Sequence, residues 1–222
     1  METTLPSATD SADTAPFLVR APTSGRRSHD AKAASHPRPC RSALGPGHQP
    51  RSAATHTTSD VVSIADPTAV VGSSTLTRTN KAISMDLQTS GLPAGDAVTI
   101  WWMVFNHPDA CISGSSTPDD PNDPRCGMAD MANAAADLSV LYAAGHVIDD
   151  AGVVDFGGKL AVDDADGAIM GTGLHDPAGA DVTLVVHDHG PANPGQVDEQ
   201  IHTFGTCNPG CIDLQMSAHQ AG

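Results

Sequence analysis

From residue 75 onward, short apolar or alternating segments are separated by turns rich in Gly, Pro and Asp. Segments of this length and pattern predict strands. Residues 82–87 alternate strictly, whereas residues 98–105 are apolar on both faces and are predicted to form a central strand between two layers. The other predicted strands are residues 75–79, 138–148, 153–156, 181–189 and 211–216. We therefore predict an all-β fold, either an antiparallel β-sandwich or a Greek-key barrel of about seven to eight strands.

The N-terminal part of the chain has a different composition. Residues 1–67 are rich in Ser, Thr, Pro and His and have little apolar patterning. Such a segment cannot bury enough surface to offset its ordering entropy, so it is predicted to be a disordered tail. Residues 68–222 are predicted to form the β-sandwich domain, which is long enough for one hydrophobic core. Within it, only residues 128–137 and 197–201 have helical character.

The net charge of −15 belongs to the predicted domain. Residues 1–60 contain seven basic and five acidic residues, so the acidity lies in the remainder, and only two of the 26 acidic residues are Glu. A chain this acidic is a poor nucleic-acid binder, because phosphate recognition needs clustered Lys and Arg. Its longest mostly apolar run, residues 97–105, is far shorter than the ~20 residues that cross a bilayer. We therefore expect neither a nucleic-acid partner nor a transmembrane segment.

Four cysteines in the predicted domain suggest two disulfides. The local pairing, Cys111 with Cys126 and Cys207 with Cys211, is favoured because each pair brackets a Pro- or Gly-containing loop. A four-Cys zinc site is the alternative, although neither pair has the two-residue spacing usual in such sites. Disulfides form in oxidising compartments, so we predict a secreted or extracytoplasmic protein. The tail nevertheless contains no apolar stretch recognisable as a signal peptide.

The clearest candidate for a metal site is the sequence His187-Asp188-His189 in a predicted strand. Alternation places the two imidazoles on one face, ~7 Å apart along the strand, which suits two ligands of one ion. Val182, Leu184 and Val186 point the other way, so the apolar face is predicted to meet the core and the histidines to lie on the more open side.

Three further histidines could complete this site. His146 is the best third ligand, because it follows Gly145 at the end of another predicted strand, and His175 and His202 are loop candidates. Copper or zinc bound with an open position would be catalytic. The alternative is that these histidines are solvated or paired with nearby aspartates.

Acidic turns offer a second kind of cation site. Asp119, Asp120 and Asp123 lie inside the predicted Cys111–Cys126 loop, where oxygen ligands on a tethered loop would suit calcium. The alternative is structural, because Asp is a common turn residue that caps local N–H groups.

Trp101 and Trp102 suggest a third kind of site. An exposed indole could stack on a sugar ring. Adjacent strand residues face opposite ways, however, so at least one indole is predicted to belong to the core.

Three short motifs carry a resemblance to known proteins. Gly-Leu-Pro-Ala-Gly at 91–95 before a strand, Ala-Gly-His at 144–146 and His-Gly-Pro at 189–191 resemble uncharacterised secreted bacterial β-sandwich proteins. The pattern is also similar to chordin-type (CHRD) and copper/zinc superoxide dismutase sandwiches, in which such a turn leads into a strand with a His-x-His pair. Here that strand carries the two tryptophans, and His-x-His comes some ninety residues later. The resemblance therefore implies fold and export, and it transfers no ligand set.

Together these patterns predict an exported, acidic β-sandwich that acts as a binding or surface-associated domain, with a metal site at its His cluster. One alternative is a copper- or zinc-dependent metalloenzyme using His187, His189 and His146. Another is a carbohydrate-binding module using Trp101 or Trp102.

Overall fold

The computed structural model describes residues 53–113 and 124–221, and within them the fold is all-β. The strands are β1 (Thr55–Ser63), β2 (Val70–Arg78), β3 (Ala82–Ser90), β4 (Asp96–Phe105), β5 (Leu138–Val147), β6 (Val153–Ala161), β7 (Ala168–Met170), β8 (Asp181–Pro191) and β9 (Ile212–His219). One short helix, α1 (Val197–His202), and three single 3₁₀ turns (Pro108–Ala110, Met128–Asp130 and Ala134–Ala136) complete the described elements. The all-β prediction is confirmed.

Three local expectations differ from the structure. Strand β1 lies before residue 68, so the sheet begins earlier in the chain than the predicted domain boundary. Strand β7 has three residues and was too short to detect by pattern. The Ala-rich segment 128–137 forms two 3₁₀ turns in place of a helix, whereas 197–201 does lie in a helix.

All neighbouring strands are antiparallel and form one sheet in the order β6-β3-β2-β1-β9-β8-β4-β5-β7. The sheet curls, so β6 and β5 approach each other. Gly158 of β6 makes this approach possible, because a Cβ there would lie 3.1 Å from the carbonyl oxygen of Ala143 in β5 and 3.0 Å from Cε of Met85.

The inner face of the curled sheet holds the main core. Trp102 lies there, fully buried with Val98, Ile100 and Val104 of the same strand. Trp101 points to the outer face, where it packs in a second cluster with Phe105 of β4 and Val185 of β8. Strand β4 is therefore buried on both sides, as the sequence predicts. Since the two indoles are 1% and 0% exposed, neither is available to stack on a sugar.

The two halves of the sheet meet between β1 and β9, which pair through Val62 with Met216 and Ser63 with Gln215. Beyond these pairs, buried polar side chains connect the halves. The imidazole of His219 lies between the hydroxyls of Thr57, at 3.0 Å, and Ser74, at 2.8 Å.

Arg78 also links the two halves at the boundary between β1 and β9, which we call the seam. Its guanidinium is buried and donates hydrogen bonds to the carbonyl oxygens of Pro177, Ala180, His219 and Gln220. Burial, with a further contribution from the positive charge of Arg78, lowers the pKa of His219 to about 4. His219 is therefore neutral at pH 7.

Because His219 lies in this seam, the stability of the protein should depend on pH. An unfolded His titrates near 6.5, so between pH 6.5 and pH 4 the unfolded chain binds a proton that folded His219 excludes. The free energy of unfolding should therefore fall as the pH drops through this window. In urea unfolding at pH 7 and pH 5, the wild type should lose about 2 kcal/mol more than the H219Q variant, which cannot titrate there. Equal losses in the two proteins would contradict this account.

Candidate metal centre

His187 and His189 lie side by side on the outer face of β8. Their ring centroids are 4.8 Å apart in an edge-to-face arrangement, as expected for alternate residues of one strand. The expectation that this side is open is wrong, since the two residues are 3% and 0% exposed. The segment after α1 covers them. Phe204 stacks on His187 at 4.6 Å between ring centroids, and Cys211 lies next to His189.

The tautomer of His187 follows from its partner on β9. Its Nδ1 lies 2.5 Å from Oδ1 of Asp213, and a carboxylate oxygen accepts hydrogen bonds. Nδ1 therefore carries the proton in the neutral ring, and Nε2 carries the lone pair. This Nε2 is buried and has no hydrogen-bond partner among the described residues.

The tautomer of His189 follows from Thr99 of β4. The Thr99 hydroxyl donates its one proton to the carbonyl oxygen of Ile201 at 2.7 Å, so it can only accept from Nε2 of His189 at 3.0 Å. The lone pair of His189 is then on Nδ1, which lies 3.7 Å from Sγ of Cys211.

Each ring is thus oriented through one of its nitrogens, by Asp213 for His187 and by Thr99 for His189. Burial lowers the pKa of His189, and the neighbouring His187 lowers it further. A hydrogen bond with the Thr206 backbone and the charge of Asp188 raise this pKa, but by less. A depressed pKa keeps this imidazole neutral at pH 7, and a metal ligand must be deprotonated.

The predicted disulfide pairing is confirmed. Cys111 bonds to Cys126 and Cys207 bonds to Cys211, with Cα–Cα distances of 5.3 and 5.1 Å. The four cysteines are therefore divided between two disulfides and, among the described residues, are not gathered into the alternative four-Cys zinc site. Cys211 nevertheless forms a compact group with the two histidines, since one ligand atom from each lies within 4.8 Å of the others.

His146 does not join this group, contrary to the prediction of a third ligand. It pairs with Val98 of β4, which pairs in turn with Asp188 of β8. Residues in one row across a sheet share a face, so His146 lies on the face opposite His187 and His189. Its exposed ring packs against Phe156, with ring centroids 5.4 Å apart.

His175 and His202 are also separate from the pair, and each contacts an aspartate. Nδ1 of His175 lies 3.1 Å from Oδ2 of Asp137. Nδ1 of His202 lies 2.8 Å from the carbonyl oxygen of Asp198. Both histidines therefore fit the alternative prediction, in which a histidine is paired with a nearby aspartate and binds no metal. The calcium candidates Asp119, Asp120 and Asp123 lie outside the described residues.

Sequence reasoning missed the supporting residues of the centre. Asp213 and Thr99 orient the two rings from the neighbouring strands, and both contacts depend on strand register. Phe204, in an irregular segment, carries no pattern that would place it on His187. Of the residues around the two histidines, only Cys211 was singled out in the sequence, as one of the four cysteines predicted to form disulfides.

No protein-family model, curated protein or solved structure matches the chain. In the part of the chain that the structure describes, no helix is both long and apolar enough to cross a membrane.

The covering role of Phe204 can be tested chemically. Replacing it with Ala removes the ring stacked on His187, so the imidazole should react faster with diethyl pyrocarbonate. Peptide mapping by mass spectrometry should show His187 protected in the wild type and modified in F204A, with exposed His202 modified equally in both. Equal protection of His187 in the two proteins would show that Phe204 is not its cover.

Proposed function

We propose that this chain is an exported metal-binding domain in which His187 and His189 hold one transition-metal ion, zinc or copper. One observation carries the proposal. Two imidazoles each place a ligand atom in the same small group, and Nε2 of His187 is buried with no hydrogen-bond partner among the described residues. A buried polar atom without a partner is unfavourable, and a bound cation would satisfy it.

The surroundings of the pair support a metal ligand role. Imidazole nitrogen is a good ligand for zinc and copper. Asp213 accepting from Nδ1 of His187 is the carboxylate–histidine arrangement that commonly orients metal-ligating histidines and raises their basicity. Thr99 does the same for His189 through a neutral hydroxyl.

Export is supported by the two disulfides, which are compatible with an oxidising compartment. The formal charge of −15 suits a well-solvated surface. The all-β fold is also consistent with the chordin-type and dismutase resemblance, from which the proposal takes no ligand.

We favour binding over catalysis. The metalloenzyme alternative requires His146 to converge with the pair, but His146 lies on the other face of the sheet. The pair is also enclosed, whereas a catalytic site needs a position open to substrate. The carbohydrate-binding alternative lacks an exposed indole.

Metal titration of the tag-free protein tests the proposal. Calorimetry with zinc, followed by elemental analysis after dialysis, should give one bound ion per chain. The double variant H187A/H189A should lose this ion, while H146A, which removes an exposed histidine from the opposite face, should retain it. Retention of stoichiometric zinc by a folded H187A/H189A protein would overturn the proposal.

The orienting carboxylate gives a second test that leaves both ligands in place. In D213N the partner of His187 becomes a neutral amide, so the ring is less basic and less firmly oriented. Zinc affinity should fall by roughly 10–100-fold, the usual effect of losing such a partner. Asp213 is partly exposed, so the fold should tolerate the change, and a matching circular dichroism spectrum would verify this. Unchanged affinity would contradict the orienting role.

A further inference from the structure

We infer that the Cys207–Cys211 disulfide controls this centre, because its reduction releases Cys211 as a thiolate that completes a His₂Cys site for a thiophilic ion such as Zn²⁺ or Cu⁺. The inference rests on the proposed function and extends it. It adds a third ligand and makes the affinity depend on the redox state of the chain.

The positions of the three side chains are the first support. One ligand atom from each of His187, His189 and Cys211 lies within 4.8 Å of the other two. Nε2 of His187 has no hydrogen-bond partner among the described residues, and Nδ1 of His189 faces Sγ of Cys211. Tetrahedral zinc with bonds of about 2.0–2.3 Å has ligand atoms roughly 3.3–3.8 Å apart. The sulfur and Nδ1 of His189, at 3.7 Å, already have that spacing. The longest ligand-atom separation in the group, at most 4.8 Å, needs to close by about 1 Å.

The second support is that, while the disulfide is formed, Nε2 of His187 is buried and has no hydrogen-bond partner within residues 53–113 and 124–221. A disulfide sulfur is a poor ligand, whereas a thiolate is a strong one for zinc and Cu⁺. The oxidised centre therefore offers two nitrogens, and the reduced centre offers two nitrogens and one thiolate.

The redox step needs a dithiol reductant. One thiolate of the dithiol attacks a sulfur of the Cys207–Cys211 bond and forms a mixed disulfide, which the second thiol resolves. The protein disulfide gains two electrons and two protons, and the dithiol becomes a disulfide. Cys207 is left as a thiol, and Cys211 loses its proton when the metal binds.

The two disulfides differ in access to such a reductant. Residues Asn208, Pro209 and Gly210 between Cys207 and Cys211 are all exposed. Cys126 of the other bridge is 3% exposed and packs in the outer-face cluster with Trp101. A reductant should therefore reach the bridge beside the metal centre first.

Two matched variants test the inference. C207S frees Cys211 permanently, and C211S removes the proposed ligand; both lack the same disulfide, so they share its effect on stability. All proteins carry C40S to prevent exchange with Cys40. Co²⁺ titration under argon reports sulfur coordination through its thiolate charge-transfer absorption, and competition with a chromophoric chelator gives the Zn²⁺ affinity.

We expect C207S to show the thiolate–cobalt band and to bind Zn²⁺ at least about tenfold more tightly than C211S, an effect equivalent to ~1.4 kcal/mol. The C40S protein should gain the same band after treatment with a phosphine, which reduces the disulfide and takes up oxygen from water. A C207S protein with no band, or with the Zn²⁺ affinity of C211S, would overturn the inference.

The same titrations separate this inference from the proposed function. If the oxidised C40S protein binds Zn²⁺ through the histidines but C207S binds no more tightly, the two-histidine site stands and the redox control is wrong. If the oxidised protein binds none while C207S binds tightly with the band, the thiolate assignment stands and binding by the histidine pair alone is wrong.

Discussion

The ladder between β4 and β8 supports most of the structure, because both of its faces are buried. The inner face, with Ile100 and Trp102, fills the curled sheet. The outer face, with Trp101 and Val185, is covered by the loops around Cys126. His187 and His189 lie on the same outer face at the end of β8, where a second segment, the one after α1 that contains Phe204 and Cys211, covers them. The candidate metal centre is therefore an extension of the packing that stabilises these two strands.

Two buried histidines show how a structural role differs from a candidate functional one. His219 has a partner at each nitrogen, the hydroxyls of Thr57 and Ser74, and so completes a polar contact within the fold. His187 has an equally buried ring, but in the described part of the chain only its Nδ1 has a hydrogen-bond partner. Burial alone does not distinguish the two residues. The unpartnered nitrogen does, because a buried lone pair without a hydrogen bond is unfavourable and is free to bind a ligand.

Local geometry could be predicted from the sequence, and contacts between strands could not. A period of two places His187 beside His189 and sends Trp101 and Trp102 to opposite faces, whatever the topology. The side of the sheet on which His146 lies depends on how β5 pairs with β4, where His146 lies opposite Val98. No local sequence pattern encodes this pairing. Strand β1, made largely of Thr and Ser at its start, lacks the alternation that would identify it. The cover over the pair comes from an irregular segment, for which periodicity predicts nothing.

The seam between β1 and β9 has a consequence for how the sheet could open. Here two backbone pairs hold strands that elsewhere in the sheet form longer ladders, and side chains join the halves beside them. The Gln215 amide contributes by accepting from Thr89 and donating to the carbonyl oxygen of Ser90. Side-chain hydrogen bonds can break one at a time, so a local opening of the sheet along this line disrupts fewer backbone hydrogen bonds than one elsewhere. Strand β9 begins directly after Cys211, so such an opening would also loosen the cover of the histidine pair and give a metal ion a route in.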